Sequence, residues 1–138
     1  MMQSDSDASA TIEASVRWLA ALGALFALTG VAAGAFGAHA LRSWLPPERA
    51  GAFETAVRYQ ALHALALFAT AWVVQTWRRR IAVAAGACFV VGTVLFCGSL
   101  YALALLGEPQ LGIVTPLGGM GLLIGWALLA VAIVKSKG

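Results

Sequence analysis

"YQALHALALFATAWVV", residues 59–74, contains no charged residue and no polar-apolar alternation of period two. With its neighbours from 54 to 77 it is long enough to cross a bilayer core of about 30 Å as a helix. A membrane barrel strand would alternate in polarity. A continuous apolar run instead implies a helix, because backbone polar groups in hydrocarbon must be paired within the segment. The first turns nevertheless carry Tyr59, Gln60 and His63 directly after Arg58. Polar groups inside a span are costly and usually face a bundle interior or a watery cavity. The stretch therefore points both to a membrane and to an internal polar cluster.

Composition extends that reading to the whole chain. Of 138 residues, 61% are hydrophobic and 11% charged, and the mean hydropathy is +0.85. Soluble domains carry roughly a quarter charged residues. Four apolar runs are expected as spans, at approximately 18–40, 54–77, 81–106 and 113–134. Pro46 and Pro47 end the first and can open the next, because proline is tolerated in a first helical turn; a short interfacial helix is expected there. "RRR" at 78–80 and "GEPQLG" at 107–112 are short connections, which imply sequential antiparallel neighbours. The expected fold is an all-α, integral-membrane, antiparallel four-helix transmembrane bundle over residues 16–138. Residues 1–15, polar and acidic, are expected as a disordered cytoplasmic tail. Ala38-His39-Ala40 has the small-x-small form of a signal-peptidase site, but the acidic flank and long apolar stretch favour an uncleaved first span.

The basic residues set the expected orientation. Four spans place Arg17, Arg78, Arg79, Arg80, Lys135 and Lys137 on one side, with Arg42 and Arg49 on the other. The positive-inside rule makes both termini cytoplasmic. The net charge of +3 is then a consequence of topology, and no nucleic-acid partner is implied. Membrane lipids are the expected surroundings, with a homo-oligomer or a membrane protein complex as further partners.

In that orientation the polar residues gather in the outer half: His39, then Glu54, Arg58, Tyr59, Gln60 and His63, then Ser99 and Tyr101, then Thr115. Glu54 and Arg58, four apart with the acid first, form a favourable helix-surface ion pair. Tyr59 and His63 repeat the spacing on another face. The inner half offers Thr29, Thr70, Thr93 and Gln75. Gly30, Gly34 and Gly37, then Gly98, then Gly118, Gly121 and Gly125 are expected where helix backbones approach closely. Cys88 and Cys97 lie about 13 Å apart along one helix, beyond disulfide reach. No metal-ligand spacing, phosphate loop or dinucleotide fingerprint is present, and no cofactor is implied.

"GAFGAHAL" at 34–41, "YQALHALAL" at 59–67, "GTVLFCGSLYALAL" at 92–105 and "TPLGGMGLLIGWALL" at 115–129 together resemble the domain of unknown function 423 family. These are small bacterial inner-membrane proteins with animal relatives called transmembrane protein 256. The resemblance implies four spans, and it marks Gly34, Gly37 and His39, then Tyr59, Gln60 and His63, then Gly98, Ser99 and Tyr101, and finally Thr115, Pro116, Gly118 and Gly119. Cys97 stands where the family pattern has serine, which weakens a metal role for the thiol. No activity is implied. The leading reading is a non-catalytic lipid- or partner-binding bundle. The alternative is an oligomeric solute or proton pathway using His63 and Tyr59. Haem between His39 and His63 is disfavoured, because His63 lies about 14 Å deeper along its helix. For the orientation, a fluorescent protein fused at Gly138 is expected to be bright and alkaline phosphatase at the same point inactive; the reverse pattern would invert the topology.

Overall fold

The computed structural model describes residues 2–41 and 43–135, and side chains from residue 7 on. Arg42 and Lys137, which entered the charge count, lie outside the described residues. Helix α1 spans Met2–Phe36 and runs into a π-helical turn, Gly37–Leu41. Helix α2 spans Pro47–Trp77, α3 spans Arg80–Leu106, and after a 3-10 turn at Pro109–Ile113 comes α4, Thr115–Val134. Among the described residues, four helical stretches are long and apolar enough to cross a membrane: Asp7–Leu41, Pro47–Trp77, Arg80–Leu106 and Pro109–Val134. The all-α, four-helix fold expected from the sequence is the one observed.

Two boundaries differ from expectation. Residues 2–15 are helical and continuous with α1, where a disordered tail was expected. The reason is an apolar i, i+4 pair hidden among polar residues: Ile12 and Val16 pack against the core next to buried Leu19. Thr11 Oγ1 and Ser15 Oγ donate back to the carbonyls of Asp7 and Thr11, at 2.8 and 2.9 Å. Thirty-five residues make a helix of about 52 Å, so its first turns stand beyond a hydrocarbon core of about 30 Å. Likewise no separate interfacial helix precedes the second span; α2 starts at Pro47 and is unbroken. Proline at that position needs no N–H partner, and Glu48 in the first turn has the sign that the helix dipole favours.

The helices alternate in direction, so the structure has a terminal end, with both termini and the α2–α3 connection, and a proline end with the other two connections. Each turn is closed by a specific device. Arg78 adopts a left-handed conformation (φ 49°) that ends α2, its N–H bonding the Val74 carbonyl. Gly107 does the same for α3 at φ 72°, a conformation that costs glycine little. Arginines then satisfy carbonyls that helix ends leave unpaired. Arg49 Nε and Nη2 donate to the carbonyls of Ala104 and Leu105 at 2.7 and 2.9 Å, and Arg79 Nη2 donates to that of Lys135 at 2.8 Å.

Packing is sequential, with α1 on α2, α2 on α3, and α3 on α4. Among the described residues, no Cα of α1 comes within 8 Å of one in α4. The bundle is thus an open, folded row, with α2 the most buried member and α1 the least. Its main core joins Leu19, Leu67, Val74, Phe89, Leu122 and Leu129, and a smaller one at the proline end joins Leu41, Phe53 and Ala104.

Glycines set how closely the row packs. A Cβ on Gly118 would enter the backbone of Phe96; one on Gly125 would lie 2.7 Å from Phe89 Cδ1, and one on Gly121 3.3 Å from the Gly92 Cα. On the other side, Gly34 faces Val57 and Gly37 faces the Phe53 ring, while Gly30 faces Gln60 with space for an ordinary contact. Gly98 departs from expectation, because nothing lies within 4 Å of its Cβ direction. Its spacing matches Gly86 and Gly92, but six residues are about 600° of helix, which rotates each successive glycine to a different face. Gly118→Ala is expected to lower unfolding stability in a dodecyl-sulfate titration by about 1–3 kcal/mol. Gly98→Ala should change it by less than about 0.5 kcal/mol. Equal losses would contradict this account of the α3–α4 seam.

Candidate functional site

The Gln60 amide sits where three helices meet. Its Nε2 donates to the Phe26 carbonyl at 2.9 Å and to Thr29 Oγ1 at 2.7 Å, both on α1, while its Oε1 accepts from Tyr101 Oη of α3 at 2.8 Å. Only one amide orientation fits, since a carbonyl can only accept and Thr29 spends its own proton on the Leu25 carbonyl. Gly30 faces this amide from α1, and a Cβ there would meet the Gln60 side chain at 3.5 Å, an ordinary van der Waals contact.

One turn further along α2, His63 is 2% exposed. Its Nδ1 lies 2.7 Å from the Tyr59 carbonyl, and its Nε2 lies 3.2 Å from Trp126 Nε1 on α4. Indole N–H is donor only and a carbonyl is acceptor only. The imidazole therefore carries its proton on Nδ1 and accepts at Nε2, a neutral ring with both nitrogens engaged. Phe89 packs against it at 5.6 Å between ring centroids and against Trp126 at 5.0 Å. A third tie links α3 to α4: Ser99 Oγ lies 2.7 Å from Thr115 Oγ1. Ser99 donates to the Phe96 carbonyl at 3.0 Å, so Thr115 is the donor between the hydroxyls.

The structure thus pairs Ser99 with Thr115 across α3 and α4 and, apart from them, brings together Tyr59, Gln60, His63 and Tyr101. Within this group Tyr59 contributes its carbonyl and a ring packed 4.7 Å from that of Phe96. His39, Glu54 and Arg58 stand apart. His39 is exposed in the π-helical turn. Glu54 and Arg58 form the expected ion pair at 3.3 Å on an exposed face. Thr29, assigned to the other half of the membrane from its span, lies level with Gln60 instead. The indole of Trp126 was missed; its signal was a tryptophan in mid-span, where a buried N–H needs an acceptor. Among the described residues no group of three or more His, Cys, Asp or Glu could hold a metal ion.

Two clefts flank α1. One of about 430 Å³ opens between α1 and α3, with Gln60, Tyr101, Thr29 and Phe53 in its lining. The other, of about 280 Å³, lies between the π-helical turn and the start of α2 and is bordered by Glu54 and Arg58.

Set against known proteins, residues 33–119 match the family model described as Protein of unknown function (DUF423). The chain belongs to this family. The UPF0382 membrane protein YwdK of Bacillus subtilis (strain 168) is 42% identical over 115 residues, 83% of this chain and 94% of that protein. The UPF0382 inner membrane protein YgdD of Escherichia coli (strain K12) is 39% identical over 124 residues, covering 88% and 92%. The UPF0382 membrane protein SERP0230 of Staphylococcus epidermidis is 40% identical over 117 residues, covering 85% and 95%. No solved structure matches the chain. The matched range includes Gln60, His63, Ser99, Tyr101 and Thr115, while Thr29 and Trp126 lie outside it. The chain is accordingly a multi-pass helical membrane protein.

Tyr101→Phe leaves Gln60 Oε1 without its donor and is expected to cost about 0.6 kcal/mol, the average for interhelical hydrogen bonds in a membrane protein, and no more than about 1.7 kcal/mol. In a double-mutant cycle, Tyr101→Phe should add almost nothing in a Gln60→Leu background, while Gln60→Leu still costs its two bonds to α1 in a Tyr101→Phe background. Strictly additive losses would show that the two side chains are uncoupled.

Proposed function

We propose that this protein is a non-catalytic membrane module that binds a lipid or a partner, held in shape by the Gln60, His63 and Ser99 ties. The observation that carries the reading is that the cluster's hydrogen-bonding groups are spent on one another across helices, beside a lateral cleft open to the surroundings. A locked polar core under an open, largely apolar cleft suits recognition of something in the bilayer.

The core beyond His63 supports this reading over a proton or solute relay. It continues as Leu67, Ala71, Val74, Ala85 and Phe89. The hydroxyls there are isolated: Thr70 donates to the Ala66 carbonyl, and buried Thr93 Oγ1 has no partner among the described residues. A relay needs a continuous chain of such groups. The proposed setting is a bacterial inner membrane with both termini cytoplasmic, as the arginine and lysine distribution suggests. The animal transmembrane protein 256 group is proposed to share the architecture.

Extraction into polymer-bounded native nanodiscs is expected to recover the protein with a defined lipid species or a stoichiometric protein partner. Proton and small-solute flux in liposomes should be the same for the native protein and His63→Ala. A flux abolished by His63→Ala would replace this function with the transport one.

A further inference from the structure

We propose that the cleft between the π-helical turn and the first turns of α2 is a binding site for one aminophospholipid of the phosphatidylethanolamine type. Arg58 takes its phosphate, Glu54 its ammonium group, and the apolar wall part of an acyl chain. This rests on the lipid-binding reading above and names the ligand and its place, away from the buried cluster.

The wall is apolar, with Gly34, Gly37, Leu41 and Phe53 among its residues, and the cleft holds about 280 Å³. That is slightly below the range of sites enclosing whole small molecules, and it suits a segment of chain entering from the side. The cleft opens where the chain leaves regular α-geometry at Gly37–Leu41; π-helical turns of this kind are frequent at functional sites. Gly37 is necessary to its form, since a Cβ there would lie 2.7 Å from the Phe53 ring.

The ionisable groups in its lining are of opposite sign and one helical turn apart, about 6 Å along the axis. Phosphate and ammonium in the headgroup are likewise opposite charges joined by a short bridge. Arg58 and Glu54 immediately precede the uncharged run 59–74, which puts them at the level where headgroups meet hydrocarbon. Their side chains remain 76% and 51% exposed, and their mutual contact engages one guanidinium nitrogen and one carboxylate oxygen. An exposed ion pair of this kind contributes little by itself. Opening it to admit a zwitterion replaces one weak pair with two charge-assisted contacts, and guanidinium is well matched to phosphate.

The test is native mass spectrometry of the full chain released from nanodiscs containing equal phosphatidylethanolamine and phosphatidylglycerol, with circular dichroism as a check that each variant is helical. The native protein is expected to retain one phosphatidylethanolamine in preference to phosphatidylglycerol. Arg58→Gln should weaken retention of both lipids about tenfold, the loss of one hydrogen bond to a charged group. Glu54→Gln should abolish the preference while leaving phosphatidylglycerol bound. Soluble glycerophosphoethanolamine, lacking acyl chains, should not displace the lipid. Selective retention unchanged in both variants would overturn this site and leave lipid binding standing. Absence of any retained lipid in the native protein would overturn the site and the lipid-binding reading together.

Discussion

The side-chain amide of Gln60 is the junction on which the arrangement of the first three helices depends. Hydrocarbon supplies no hydrophobic drive for helices to associate, so packing and interhelical hydrogen bonds must do so. Gln60 binds the α1 backbone at Phe26, the α1 hydroxyl of Thr29 and the α3 phenol of Tyr101. Gly30 faces the amide from α1, where a Cβ would only touch it, at 3.5 Å.

The fourth helix is held by different means. Along α4, Gly118, Gly121 and Gly125 bring its backbone against Phe96, Gly92 and Phe89 of α3. At that separation Trp126 can reach past Phe89 to His63 on α2. The His63–Trp126 bond thus spans helices that barely touch through their backbones. It depends on the tight α3–α4 seam. Both ties lie on α2, which explains why the most polar of the four helices is also the most buried.

Because α1 and α4 do not meet, the row keeps open sides, and the two clefts beside α1 follow from that. The polar residues accordingly divide into two kinds. Those on the faces of α2 turned toward its neighbours are consumed in locking the helices. Glu54 and Arg58, on the face turned outward at the proline end, keep most of their hydrogen-bonding capacity. The arginines at the helix ends have a third role, since Arg49 and Arg79 close carbonyls left unpaired at the ends of α3 and α4.

Long uncharged runs by themselves determined four membrane helices, their order and their alternation, because a backbone in hydrocarbon has no other way to pair its polar groups. Sequence spacing also put Gln60 and His63, both buried, within a turn of Tyr59, whose side chain is exposed. Other features were decided only by tertiary structure. A helix that is apolar on all sides carries no amphipathic signal for which face turns inward, so Gly98 and Gly118 look equivalent until the α3–α4 seam is built. Composition concealed the N-terminal extension of α1, because Ile12 and Val16 act only against a core supplied by other helices. Trp126 and Thr29 become members of the site through partners on α2 that are distant in sequence. The same geometry separates Glu54 and Arg58 from the cluster: a rotation of 100° per residue sets exposed Arg58 apart from buried His63, five positions on.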